Sequence, residues 1–246
     1  MTRTSSRSSP LAPRFSLFAS CFLLLASSSL AQRPPAFDAG RLQTGRFLYR
    51  TVVDGRESGS SEIGIGRSDQ DTFSFTNLVE GMFSQSWEAV ASRGFVPISA
   101  RLITGSGKDA RTVFELNYRG GRVSGFATSS KDLARRAIDE AVAADTVDQR
   151  IDWAAVMAVK ELAPGSRFAF HVYDPGTGHS PVEAVVLGPA TVVVPAGSFE
   201  TIRIEYRIQK KGRSETYVVF VRSELPRFLV KETFPNGAET ELTGSK

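Results

Sequence analysis

Thr201-Ile202-Arg203-Ile204-Glu205-Tyr206-Arg207-Ile208 is the stretch that decides the fold. Ile202, Ile204, Tyr206 and Ile208 alternate with Thr201, Arg203, Glu205 and Arg207. A two-residue period with β-branched and aromatic side chains on one face marks a strand with one buried side. Residues 112–118 repeat the pattern, with Phe114, Leu116 and Tyr118 set against Glu115 and Asn117. Thr216 to Val221 is apolar on both faces and is expected to lie centrally in a sheet or under a helix. Pro226 to Phe234 reads as a further strand. Asp54-Gly55 and Gly120-Gly121 are hairpin turns, and Gly105-Ser106-Gly107, Lys211-Gly212 and Asn236-Gly237 are further turn signals. About ten short strands joined by tight turns predict a mainly β chain, with a large curved antiparallel sheet forming a half-barrel or a lipocalin-like barrel.

Residues 129–162 break the alternation. Leu133, Ala137, Ile138, Ala141 and Val142 recur at helical spacing, as do Ile151, Ala155, Ala158 and Leu162, with Pro164-Gly165 as a stop. Ser129 with Asp132, and Thr146 with Gln149, resemble capping boxes. The expectation is a two-helix insertion at 129–162 covering one face or end of the sheet.

The beginning of the chain reads as an address. Arg3, Arg7 and Arg14 precede an apolar run from Phe15 to Ala26, and Ser29 and Ala31 are small residues where signal peptidase cuts. This is the three-part secretory pattern, and the apolar run is shorter than the roughly 20 residues a transmembrane helix needs. Residues 1–31 are therefore expected to be a cleaved signal peptide directing the chain to the periplasm, with 32–41 an extended leader and 42–246 a single β-rich domain. No transmembrane span is expected after cleavage. Cys21, the single cysteine of the chain, offers an alternative as a lipid anchor, but apolar residues continue beyond it.

Composition excludes several functions. One Cys and two His give no material for a disulfide framework or a Cys/His metal centre. The 246 residues carry a net charge of +4, but Arg3, Arg7 and Arg14 leave with the signal and take it to +1. The remaining cations are interspersed with acids, so no basic stripe suits nucleic acid. Asp174-Pro175-Gly176-Thr177-Gly178-His179-Ser180 holds an acid, a His and a Ser, but reads as a turn. Gly105-Ser106-Gly107-Lys108 lacks the rest of a phosphate loop. No catalytic motif, cofactor site or metal site is found, and a non-enzymatic protein is expected. A hydrolase built from dispersed residues is the third reading.

The aromatic residues carry the functional expectation. Of 17 Phe, five Tyr and two Trp, many fall on strands or helices. They fill a core or line a cavity for an apolar or lipid-like ligand. Trp87, Phe114, Tyr118, Trp153, Met157, Ile204, Tyr206 and Phe220 are the candidate lining residues. The rival is an assembly module of the cell envelope that meets a partner protein through a sheet edge.

Val194-Pro195-Ala196-Gly197-Ser198-Phe199-Glu200-Thr201, then the alternating strand, then Leu225-Pro226-Arg227-Phe228-Leu229-Val230, resembles a family of exported bacterial proteins of unknown function built around a Val-Pro-Ala-Gly-x-Phe element. Tyr217 to Val221 stands where that family would lead one to expect a Trp. The resemblance makes Pro195, Gly197, Phe199 and Pro226 structural signature residues. It implies a periplasmic half-barrel similar to that of the lipoprotein carriers LolA and LolB, and no catalytic residues.

Overall fold

The computed structural model describes residues 35–81, 84–129 and 131–246. The expected signal peptide, Cys21 and the first residues of the expected leader lie outside the described residues.

Fifteen strands form one sheet: β1 (Gly45–Val53), β2 (Arg56–Arg67), β3 (Thr72–Gly81), β4 (Gln85–Ser92), β5 (Pro97–Thr104), β6 (Arg111–Arg119), β7 (Arg122–Thr128), β8 (Arg135–Ala141), β9 (Thr146–Asp148), β10 (Arg167–Asp174), β11 (Gly178–Val194), β12 (Gly197–Lys210), β13 (Arg213–Arg222), β14 (Leu229–Thr233) and β15 (Glu239–Ser245). Their spatial order is β8-β7-β6-β5-β4-β3-β2-β1-β15-β14-β13-β12-β11-β10-β9. Each neighbouring pair is antiparallel except β9 with β10, which is parallel. Two hairpin meanders are thus joined by β1 pairing with β15, from Phe47 opposite Ser245 to Val52 opposite Glu239. The edges β8 and β9 are not hydrogen-bonded to each other, so the sheet curves without closing.

The alternation read from the sequence sets the faces. Ile204, Tyr206 and Ile208 of β12 are buried, as are Phe114, Leu116 and Tyr118 of β6. β13 lies between β12 and β14, in keeping with its apolar character. The hairpin at Asp54-Gly55 has φ of 50° and 74°, and that at Gly120-Gly121 has 59° and 72°, the left-handed pair a two-residue turn of this type requires.

The 129–162 region corrects the expectation of two helices. Its first half is the edge strand β8, all seven residues of which pair with β7. The apolar stripe there had no face to bury, for only Ile138 of β8 is buried, whereas the backbone gains a full ladder. The Ser129/Asp132 pair turns the chain instead of starting a helix: Ser129 Oγ accepts from Lys131 N–H at 3.2 Å and Asp132 Oδ1 from Ala134 N–H at 3.1 Å. In the second half Thr146 and Val147 are taken up by pairing with β10. A 3-10 turn, Gln149–Ile151, leads into one short helix, α1 (Asp152–Met157). All six α1 residues are buried, so the helix is enclosed by the concave face and not laid on it along one stripe.

An enclosed helix needs partners for its terminal carbonyls. Arg227, itself 6% exposed, donates from Nη1 to Met157 O at 2.8 Å and to Val159 O at 2.7 Å. A guanidinium on the final carbonyls also suits the negative end of the helix. The described part of the expected leader is docked as well. Ala39 is buried in a 3-10 turn, Phe37 bridges to Val159, and Asp38 pairs with Arg93 at 2.6 Å. The rings of Phe170, Phe37, Phe95 and Phe75 pack one on the next at 5.4–5.6 Å and fill this end of the interior.

Replacing Arg227 by Met keeps the bulk and orphans two buried carbonyls. Arg227→Met is expected to cost about 2–4 kcal/mol, read as a lowered midpoint in urea unfolding. An unchanged midpoint would show that the helix end is satisfied in another way.

Candidate functional site

The concave face is filled at one end and open at the other. The opening is a groove of about 760 Å³ lined by Val53, Val79, Glu215, Phe234 and Ala238 among others. It leads to an inner chamber of about 340 Å³. Ser61, Asn77, Gln85, Tyr217, Phe234 and Thr240 line both, so the two are one continuous space. Both volumes lie in the range of small-molecule sites. The strand period explains the lining. Ser61, Asn77, Gln85 and Thr240 occupy inward positions continuous with Ile63, Phe75, Ala89 and Leu242, so polar residues replace apolar ones toward the open end.

Two carboxyls stand in the chamber wall. Asp152 opens α1 and is 5% exposed; Glu232 lies on β14 and is 7% exposed. Tyr206 of β12 bridges them, its Oη 3.4 Å from Asp152 Oδ1 and 3.3 Å from Glu232 Oε1. The hydroxyl is placed to donate to either carboxyl, and its single proton cannot fully satisfy both. Burial raises Asp152 to about 7, against the pull of Trp153 N–H, Arg150 and Lys210. Burial and the neighbouring Asp152 raise Glu232 to about 8. Tyr217 stacks on Tyr206 with ring centres 5.0 Å apart and donates to Glu215 at 3.1 Å.

The charged donors near the pair are already engaged. Arg150 Nε bonds Asp148 Oδ1, and Nη1 bonds Asp174 Oδ2, each at 2.5 Å; Nη2 reaches Tyr173 O at 3.1 Å. Its guanidinium lies over the Phe114 ring at 4.5 Å. Lys210 pairs with Glu215 at 2.5 Å.

The residues expected to line a cavity fall into distinct places. Trp87, Trp153 and Tyr206 line the chamber. Tyr118 is buried and donates to Asp148 Oδ2 at 2.6 Å, and Phe114 lies under Arg150. Met157 and Ile204 are packed in the filled core, with no exposure. Phe220 lies on the outer face, paired with the outward Arg203 and Lys231. Its segment is apolar on both sides, so composition could not tell its two faces apart. Pro195 and Gly197 make the β11–β12 turn, with Gly197 at φ 132°, and Phe199 packs edge-on against Phe228 at 5.8 Å. Pro226 follows a cis peptide bond just before Arg227.

The Asp174–Ser180 cluster is the β10–β11 turn. Asp174 Oδ1 accepts from Gly176 and Thr177 N–H, while its other oxygen holds Arg150. His179 and His171 stack at 4.7 Å, with Asp145 on His171 at 2.9 Å and Thr146 on His179 at 2.7 Å. No metal-binding cluster is found among the described residues.

The carboxyl pair was missed by motif reading, because Asp152 and Glu232 are 80 positions apart in sequence. A signal existed: Glu232 occupies an inward place on the short strand β14, and Asp152 begins a helix with no polar face.

The family described as a protein of unknown function, DUF3108, matches residues 48–243. Among solved structures, a β-barrel-like protein of the domain of unknown function DUF1849 from Brucella abortus has a TM-score of 0.53 at 11% identity. That match covers 82% of this chain and 96% of the other. A protein described as exported, with a YmcC-like fold, from Bacteroides fragilis gives 0.40 at 11% identity, covering 86% and 99%. One described as a lipoprotein, from Parabacteroides distasonis, gives 0.35 at 8%, also covering 86% and 99%. No curated protein matches the chain. The Brucella likeness supports a barrel-like fold and nothing finer.

Carboxyls with raised pKa values tie stability to pH. Between the ordinary carboxylate range and about 8, the folded chain keeps protons that the unfolded chain has released. Stability therefore falls as pH rises through this window. In the double variant Asp152→Asn/Glu232→Gln that fall is expected to shrink, and the variant should melt several degrees above the parent at pH 9 but not at pH 5. Circular dichroism melts at the two pH values read this out. An identical slope in both proteins would remove the carboxyls as its source.

The chain belongs to the DUF3108 family.

Proposed function

We propose that this DUF3108 protein is a non-enzymatic binding protein of the bacterial periplasm that holds an apolar or amphiphilic molecule in its open concave groove. The observation that carries the reading is the continuous groove and chamber left open in the β interior. A fold with no use for the space would fill it, because empty interior forfeits packing contacts. Val53, Val79, Phe234 and Ala238 give the groove its apolar wall. The periplasmic placement rests on the secretory pattern of residues 1–31, with lipid anchoring at Cys21 as the alternative.

The assembly reading draws on the free edge of β8. Arg135, Arg136, Asp139 and Glu140 place four charges on that seven-residue strand, which discourages strand addition. A hydrolase reading draws on Asp152 and Glu232, since paired carboxyls with separated environments can serve as acid and base. Their shared bond to Tyr206 favours a binding role, because it occupies one oxygen of each. Turnover of a p-nitrophenyl ester or glycoside that disappears in Glu232→Gln would replace the binding reading with the enzymatic one.

N-phenyl-1-naphthylamine, a neutral apolar fluorophore, tests the groove. Its fluorescence is expected to rise on binding to the protein. Ser61→Trp, placed where groove and chamber meet, is expected to weaken binding at least tenfold without lowering the melting temperature. No fluorescence rise, or equal binding by the variant, would reject the groove as a ligand site.

A further inference from the structure

The chamber at the end of the groove has a chemical bias that the apolar wall does not predict. Asp152 and Glu232 are each more than nine-tenths buried and line it. Neither has a basic partner among the described residues. Their bonds are to Tyr206 and, for Asp152, to Trp153 N–H at 2.6 Å, all through Asp152 Oδ1 and Glu232 Oε1. The second oxygen of each accepts no hydrogen bond from the described residues. The side-chain oxygens of Asn77 and Gln149, two more residues of the chamber wall, are fully buried and have no partner. The cations that could answer them are committed, Arg150 to Asp148 and Asp174, and Lys210 to Glu215. The chamber wall thus holds two buried carboxyls and, among the described residues, no uncommitted cation.

Aromatic rings make up much of the rest of its wall, beside Ser61, Gln85, Arg150 and Asp174. Trp87, Trp153, Tyr206, Tyr217 and Phe234 line it. Ring faces attract a cation, and desolvated sites strengthen the attraction. Carboxyls beside ring faces form a surface for an ammonium group. The same surface is hostile to two other occupants. A hydrocarbon tail would leave the carboxyl oxygens buried against apolar atoms, an unpaired polar burial that costs free energy. A fatty-acid head would bring a further carboxyl to a chamber that already holds two.

We propose that the ligand of this groove is a cationic amphiphile, its amine or quaternary ammonium group seated in the chamber against Asp152, Glu232 and the surrounding aromatic rings, its apolar part along the groove wall. This rests on the reading of the groove as a ligand site and adds the chemistry of what enters it.

The chain's two tryptophans, Trp87 and Trp153, both line the chamber, so intrinsic fluorescence reports on it directly. The full chain is titrated at pH 8 with dodecyltrimethylammonium and with dodecanoate, both below micelle formation. The expected result is a tryptophan response with at least tenfold tighter binding of the ammonium. The preference should fall at pH 5.5, where Asp152 and Glu232 take up protons. Arg150 and Asp174 line the chamber too and are paired with each other, as Lys210 is with Glu215 beside it. Asp152→Asn/Glu232→Gln should erase the preference, and its melting curve at pH 9 confirms that it is folded. Equal or tighter binding of dodecanoate, or a preference that survives in the folded double variant, would overturn the proposal. If N-phenyl-1-naphthylamine still binds and is blocked by Ser61→Trp, the groove stands and the cationic ligand alone falls. If that fluorophore fails as well, both fall together.

Discussion

A six-residue helix sealed inside a sheet is the constraint on which the rest of this structure depends. Too short to be stable on its own, α1 persists because the strands around it supply what its ends lack. At the far end Arg227 gives two hydrogen bonds to Met157 and Val159 carbonyls. At the near end Asp148 accepts from Arg150 N–H and closes the 3-10 turn that leads in. Asp148 is held by Tyr118 of β6, and Arg150 by Asp174 of β10. Elements far apart in sequence therefore meet on a few buried polar atoms. Such a network is costly if any member is missing, because the partners would be left as buried charges without compensation.

The division of the interior follows from the placement of α1. On one side of it, Phe37, Phe75, Phe95 and Phe170 leave no room. On the other, inward positions carry Ser61, Asn77, Gln85 and Thr240, which do not pack against one another as phenylalanines do. The chamber exists where that change of side chain occurs, with Asp152 facing it from the first residue of the helix. Residues that support the fold and residues that could meet a ligand are thus successive positions on the same elements: Asp152 and Trp153 belong to both sets.

Much of the sheet was legible because its signals are local. The 201–208 alternation, the Asp54-Gly55 and Gly120-Gly121 turns and the apolar 216–221 run each depend on neighbours in sequence. Helical periodicity at 133–142 misled because a strand pairing with β7 satisfies the backbone without needing an apolar stripe, and sequence does not show which edge is free. The second stripe, 151–162, was helical only over Asp152–Met157, since Val159 bridges back to Phe37. Part of the chamber was legible, through Trp87, Trp153 and Tyr206, as aromatic residues on elements. Its carboxyls were not: pairing Asp152 with Glu232 requires knowing that β12 carries Tyr206 between α1 and β14.

The pairing of β1 with β15 has a bearing on how the chain folds. Strands β1 to β8 can zip by hairpins as they leave a ribosome or an export channel, but the second edge of β1 has no partner until residues 239–245 emerge. The half that appears first must wait with an open edge at what becomes the middle of the sheet. Contacts spanning nearly the whole domain make folding slow, and unpaired edges invite wrong partners in the interval. The stage at which this protein most needs shielding is thus the period before its last strand arrives.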